Sequence, residues 1–192
     1  MGLDERLAYR LRTLRRARGL TLEQLAARSG VSRSMISLIE RQETSPTATV
    51  LDKLAGALEV TLSALFDTPA DAPLARAAQQ PVWRDPASGY RRRQVSPGDA
   101  GSPVDLVEVI FPAGETVVFE SAGPAVPPQL VWMLAGEMVL TLGPQSWRLA
   151  AGDCLALPAS PRIAFHNPGC EPARYALARA VAACSVSAGV SA

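Results

Sequence analysis

Arg33, Ser37 and Arg41 stand at positions i, i+4 and i+8, with Ser34 beside them. On a helix that spacing lines up along one face. Arginine can donate two hydrogen bonds to guanine and serine can serve several bases, so the stripe has the chemistry of base-edge readout in a major groove. Leu38 lies near the same face, where it could touch a thymine methyl. A solvated face on a purely structural bundle would carry similar residues. The charge totals do not choose, because 19 basic and 18 acidic residues leave a formal net charge of +1. Their distribution says more. Residues 1–42 hold nine arginines (Arg6, Arg10, Arg12, Arg15, Arg16, Arg18, Arg28, Arg33, Arg41) against Asp4, Glu5, Glu23 and Glu40. The positive field sits at the N-terminal end, where it could meet a polyanion.

The other reactive side chains are few. His166, in the stretch SPRIAFHNPG (160–169), is the sole histidine. One histidine cannot build a His-rich metal site, and it has no Ser-His-Asp or Cys-His arrangement around it. Cys154, Cys170 and Cys184 are odd in number and lack metal-type spacing. For Cys154 or Cys170 a buried, inert thiol is expected ahead of a redox sensor. The Arg91-Arg92-Arg93 run could meet a phosphate or an anionic ligand, or lie on a solvated strand edge. No apolar run approaches the roughly 20 residues needed to cross a bilayer, and the N-terminus is polar and charged. The expectation is a cytoplasmic protein with reduced thiols and no membrane partner.

The elements that must position these residues change period midway. Leu7, Leu11 and Leu14 recur at helical spacing up to Gly19. Thr21 N-caps a second helix carrying Leu22, Leu25 and Ala26 inward, closed by Gly30. Ser32 caps a third with Ile36 and Ile39. Thr47 precedes a fourth with Val50, Leu51, Leu54 and Leu58, and Thr61 starts a short fifth ending near Phe66. Residues 67–81 are rich in Ala and Pro and read as a linker. Short β-rich runs follow at 104–111, 129–134, 137–142, 146–149, 154–158, 162–166 and 173–181, mostly separated by Gly or Pro. Such spacing implies an antiparallel sandwich or barrel.

Within residues 22–41, Ala26 is small where two helices approach and Gly30 can take the positive φ of a tight turn. Val31 plugs the junction, and Leu25, Ile36 and Ile39 share a core. These positions agree with a helix-turn-helix. With LEQLA, SGVSRS, ISLIE and the closing LAGALEVTLSALF, residues 8–66 resemble the Xre, or phage-repressor, class of helix-turn-helix domain. The resemblance implies a five-helix bundle and dimeric binding to a double-stranded, near-palindromic operator, the third helix lying in the major groove. Carried over by position, Arg33, Ser34, Ser37 and Leu38 read bases, and Arg41 and Gln42 meet backbone phosphates. Thr21 and Ser32 complete the DNA-binding set. Two positions depart from the family pattern: Leu22 stands where a phosphate-touching glutamine is usual, and Gln42 where a glycine is usual.

The pattern QLVWMLAGEMVLTLG…WRLAAGDCLALPASPRIAFHNPG resembles a cupin, through Gly136, Gly152-Asp153, Pro158 and Asn167. Metal-binding cupins place two histidines and a glutamate in their first motif and a histidine in the second. Here the glutamate slot is Gln129, the first histidine slots fall near Gly123 and Ala125, and the last is Ile163. His166 lies three residues beyond Ile163, on the opposite face of a strand. Neither a metal nor another cofactor is expected, and no catalytic residues. The interior is expected to combine Gln129, Val131, Met133, Ile163 and Phe165, with Trp132 or Glu120 contributing in a different register, around a mostly apolar small molecule.

These readings add up to a two-domain α+β chain. Residues 1–67 form a five-helix DNA-binding bundle, 68–102 a linker and lead-in, 103–182 an antiparallel β-barrel of cupin (double-stranded β-helix) type, and 183–192 a flexible tail. The expected function is a homodimeric transcriptional regulator, a repressor, whose cupin binds a small-molecule effector and/or dimerises. Two alternatives stand beside it: a ligand-independent repressor with a purely structural cupin, and a cupin enzyme with a DNA-binding appendage.

Overall fold

A computed structural model of the chain describes residues 3–66, 73–97, 104–120, 128–158, 160 and 162–180. Gly123, Ala125, Cys184 and the 183–192 tail lie outside the described residues. The N-terminal head has four α-helices: α1 (Leu3–Ala17), α2 (Leu22–Ser29), α3 (Arg33–Glu40) and α4 (Ala48–Ala57). Each start has a local cause. Thr21 and Gln24 exchange side-chain and backbone hydrogen bonds in a capping box at α2. Ser32 accepts from the Met35 N–H at α3, and Thr47 from the Val50 N–H at α4. Gly30 ends α2 with φ of 68°. Leu7, Leu11, Leu25, Ile36, Ile39, Leu51, Leu54 and Leu58 are buried as the head's core.

Where a fifth helix was expected there is a single 3-10 turn, Ser63–Leu65. Its bonds run i to i+3, from Ala64 N–H to Thr61 O (3.0 Å) and from Phe66 N–H to Ser63 O (2.7 Å). Ser63, Leu65 and Phe66 are all buried. A run this short forms too few i to i−4 bonds for an α-helix, and the tighter turn brings neighbouring side chains inward.

Gln42, at the position where the Xre pattern has glycine, has φ of 65°. A left-handed conformation costs a non-glycine residue about 1–2 kcal/mol, and glycine's extra unfolded freedom takes back roughly 0.5–1 kcal/mol. Gln42→Gly is therefore expected to stabilise the head by about 0.5 kcal/mol, seen as a higher urea midpoint with an unchanged slope.

Among the described residues ten strands follow: β1 (Val82–Arg84), β2 (Arg91–Gln94), β3 (Val104–Phe111), β4 (Thr116–Glu120), β5 (Gln129–Ala135), β6 (Glu137–Leu142), β7 (Gln145–Ala150), β8 (Cys154–Leu157), β9 (Arg162–His166) and β10 (Ala173–Ala180). The segment between head and sandwich thus supplies two strands of its own, β1 and β2. One sheet runs β1-β2-β3-β10-β5-β8 and the other β4-β9-β6-β7. All pairings are antiparallel. The expected closed barrel is therefore two sheets, because β7 and β8 end their sheets without pairing across. The eight strands β3 to β10 follow the order of a jelly roll, in which facing sheets rather than a closed ladder enclose the core.

Two positions of the SPRIAFHNPG and glycine-turn patterns are structural. Gly136 has φ of 74°, and a Cβ there would lie 2.9 Å from the Ala173 Cα. Asn167 is fully buried. Its amide donates to the carbonyls of Phe111 (3.2 Å), Pro112 (3.1 Å) and Glu171 (2.9 Å), and its oxygen accepts from the Gly169 N–H (2.9 Å). That one side chain ties three loop segments together.

The head is fastened to the sheets. Helix α4 packs on β4, with the Thr49 hydroxyl donating to Val118 O at 3.2 Å. Asp85, in the β1–β2 turn, accepts the Ala48 N–H at 2.9 Å, so the second module caps a helix of the first. Phe66, Trp83, Tyr90 and Phe111 form an aromatic ladder across the junction, with ring centroids 5.6–5.7 Å apart.

Candidate functional site

The exposed side of α3 is set by what the other side buries. Ile36 and Ile39 are in the core. Arg33 and Ser34 are therefore fully outward, and Ser37 and Leu38 half-exposed beside them. Arg41 and Gln42 follow, both exposed, and the caps Thr21 and Ser32 are also at the surface. Seven of the eight candidate residues thus lie on α3 or directly flank it, and Thr21 caps the preceding helix α2. Two are in exposed ion pairs: Arg33 with Glu23 at 2.5 Å and Arg41 with Glu43 at 3.2 Å. Exposed pairs contribute little, so a phosphate or base can displace them. Not every head arginine is free for DNA. Arg10 donates to Ala64 O at 3.1 Å, and Arg15 forks onto Glu40 at 2.7 and 2.8 Å.

A second feature is a cavity of about 270 Å³ between the sheets, roofed by the head. Asp52 and Gly56 of α4, then Thr61 and Ser63, line it from the head. Tyr90, Arg92, Asp105, Tyr175 and Arg179 line it from the six-stranded sheet, and Phe119, Ile163 and Phe165 from the other sheet. Arg179 and Asp105 pair at 2.5 Å. Burial acts against charge on Asp105, but the Arg179 guanidinium, together with the Gln94 amide donating to the Asp105 carboxylate, holds that carboxyl below its ordinary value. Arg92 donates to the Ser63 hydroxyl. Burial pulls its guanidinium down in pKa, and the nearby Arg179 charge adds to this against the opposing effects of Tyr90 and Asp105. Burial pushes Asp52 up to about 6, opposed by a backbone hydrogen bond at Glu120 and by Lys53. Tyr90 and Tyr175 are raised by burial.

Of the expected interior residues, Gln129, Ile163 and Phe165 line this cavity. Val131 and Met133 are fully buried in the core beside it. Trp132 is 53% exposed, on the outer face of β5, because neighbours along a strand alternate and Val131 points in. Glu120 is also at the surface, paired with Arg162 at 3.1 Å. His166 sits outside the cavity, its Nδ1 2.9 Å from the Thr116 hydroxyl and 3.2 Å from Glu115 O. Cys154 and Cys170 are exposed rather than buried; Cys154 stands opposite Trp132 on the outer face, and Cys170 in the turn after β9.

Sequence reasoning missed Asp52, Ser63, Tyr90, Asp105, Tyr175 and Arg179. The Arg91–Arg93 run did carry a signal. Strand alternation requires the middle residue to face opposite to its neighbours, and Arg92 is the buried one, while Arg91 is exposed and Arg93 pairs with Glu108. Asp52 gave no such signal, since α4 shows a second buried face only when a sheet packs on it.

A head of this helix-turn-helix form, with a polar stripe on its second motif helix and an all-antiparallel module behind it, defines a DNA-binding regulator. Residues 11–65 match the helix-turn-helix family HTH_3. The HTH-type transcriptional regulator y4dJ of Sinorhizobium fredii, itself described as uncharacterized, is 47% identical over 58 residues, which cover 30% of this chain and 74% of that protein. The chain belongs to the HTH-type transcriptional regulators. The regulator PuuR of Escherichia coli is 29% identical over 171 residues, covering 85% of this chain and 90% of PuuR. The crystal structure of an HTH_3 family transcriptional regulator from Vibrio cholerae superposes with a TM-score of 0.75 at 24% identity, covering 93% of this chain and 97% of that one. That likeness is one of fold across both modules. No helix among the described residues is long and apolar enough to cross a membrane.

Proposed function

We propose that the chain is a sequence-specific transcriptional regulator that binds a near-palindromic operator as a homodimer, with α3 in the major groove. Residues 1–67 would be the DNA-binding unit, 68–102 the lead-in, 103–182 a cupin-type module for sensing and dimerisation, and 183–192 a tail. The observation that carries the reading is the outward face of α3, where Arg33, Ser34, Ser37 and Leu38 stand together while Ile36 and Ile39 anchor the helix. A dimer seated across an operator occludes other proteins there, so repression is the simplest action.

The cavity's chemistry favours a binding module over an enzyme. Ile163 and Gln129, at the cupin ligand slots, both line the cavity, and a hydrocarbon and a neutral amide make a poor metal shell. His166, the sole histidine, is held at the surface by Thr116 and Glu115.

The test is selection of operator sequences from a random DNA pool by the full chain. The expected result is a motif with two half-sites about one helical turn, ~34 Å, apart. Arg33→Ala should lose discrimination at one base pair per half-site, by about 1–3 kcal/mol. Arg41→Ala should weaken all sequences alike and lower the salt-dependence slope by about 1 per protomer. Enrichment of no motif would sink the reading.

A further inference from the structure

We propose that the cavity binds a small zwitterion with an apolar body, an amino-carboxylate, with its carboxylate on Arg92 and its ammonium on Asp52. The inference rests on reading the β-sandwich as a sensing module. It names the chemistry that is sensed.

The polar groups of the cavity are not equally satisfied. Arg179 and Asp105 neutralise each other. Arg92 and Asp52 do not have such partners: among the described residues neither is in an ion pair, although each is only 7% exposed. Among the described residues, Arg92 Nε and Asp52 Oδ2 have no hydrogen-bond partner. A buried charge left unpaired is strongly unfavourable, and a ligand of opposite sign removes that penalty. A simple anion would answer Arg92 but meet the Asp52 carboxylate. A simple amine would answer Asp52 but meet Arg92. A zwitterion answers both and leaves the net charge of the site unchanged.

The two groups are within reach of one small molecule, because Asp52 from the head and Arg92 from the sheet line the same cavity of about 270 Å³. The rest of the ligand is defined by Phe119, Ile163, Phe165 and Leu177, which give the cavity an apolar wall. A volume of about 270 Å³ suits a ligand of amino-acid size. Asp52 belongs to α4 and Ser63, the partner of Arg92, to the 3-10 turn. A ligand at this place therefore touches the DNA-binding head directly, and its occupancy alters how the head is held on the sheets.

The experiment is isothermal calorimetry on the full chain with the standard amino acids and the short ω-amino acids, each hit repeated with its matched amine and matched acid. At least one zwitterion is expected to bind ten-fold or more tightly than either single-headed analogue. Arg92→Gln should erase its advantage over the amine, and Asp52→Asn its advantage over the acid. Ile163→Trp, which fills the apolar end, should abolish binding while leaving the fold intact by thermal melting. If Arg92→Gln does not fold, the isosteric Asp52→Asn and Ile163→Trp decide. No binding by any zwitterion, or wild-type affinity in the folded variants, overturns the proposal. The same preparations are titrated with selected operator DNA. Zwitterion binding without DNA binding would overturn the regulator reading and leave the site standing, whereas DNA binding without zwitterion binding would overturn the site alone.

Discussion

Glu40→Ala is expected to destabilise the helical head by about 2 kcal/mol, below the roughly 3–5 kcal/mol that breaking a fully buried ion pair costs, because this pair is partly buried. Glu40 lies in the last turn of α3 and Arg15 in the last turn of α1. They meet through two parallel bonds of 2.7 and 2.8 Å, with side chains only 8% and 11% exposed. The same guanidinium donates to Leu20 O at 2.8 Å, fixing the turn that leads into α2. One arginine therefore holds the ends of α1 and α3 and the start of α2 in register. Removing the carboxylate leaves the partly buried Arg15 charge with the Leu20 carbonyl and the more distant Glu23.

The effect should appear as faster hydrogen exchange at the amides of α1 and α3, with strands β5 and β10 unchanged. Replacing both partners by hydrocarbons, Arg15→Met with Glu40→Leu, should recover most of the loss, because two well-packed apolar groups carry no desolvation penalty. If Glu40→Ala leaves exchange in α3 unchanged, the pair is ornamental and the recognition helix is held by Ile36 and Ile39 alone.

The head was legible in the sequence because its signals are local. Thr21, Ser32 and Thr47 each cap the helix that follows them, and the apolar spacing picks out Leu25, Ile36 and Ile39 as core. The third helix's outward face follows from the same spacing. The sandwich was legible strand by strand where alternation is clean, as in β3, where Asp105, Val107, Val109 and Phe111 point in. Three strands, β1, β2 and β4, were not recognised. Their runs are short, and β2 consists of three arginines and a glutamine, which reads as solvated until a head roofs it. The cavity was half legible for the same reason. Gln129, Ile163 and Phe165 follow from strand parity, whereas Asp52 and Ser63 enter only because the two modules pack together. Long-range placement of this kind leaves no periodic trace in one chain.

Strand parity also separates two surfaces of the six-stranded sheet with different roles. Its inner face carries Arg92, Asp105 and Tyr175 toward the cavity. Its outer face carries an apolar strip across β10, β5 and β8, where Ala176 pairs with Trp132, Ala178 with Leu130, and Trp132 in turn with Cys154, with the Arg174–Glu108 ion pair at its margin. Leu130 is 48% exposed there. Contiguous exposed apolar surface of this kind marks an interaction site. Small alanines between two large side chains let a second sheet approach closely. On the proposed reading, in which the head binds a near-palindrome as a homodimer, the occupant that fits this face is a second copy of the chain in an isologous contact.

Trp132→Asp is accordingly expected to convert the protein to monomers at micromolar concentration, read by light scattering, and to lower operator affinity by about 10²–10⁴, the advantage that linking two heads supplies. In an isologous interface one substitution buries a carboxylate from each of the two copies, so a desolvation penalty adds to the lost apolar contact. The folded monomer should keep its melting temperature, because Trp132 is an outer-face residue whose neighbour Val131, not Trp132, fills the core. Val82→Asp, on β1 at the far edge of the same sheet and 41% exposed, is the matched control and should change neither mass nor affinity. A Trp132→Asp protein that remains dimeric and binds operator like the parent would remove this face from the interface. A monomer that still binds operator at full affinity would instead show that the two heads act independently, and the avidity argument would fail with it.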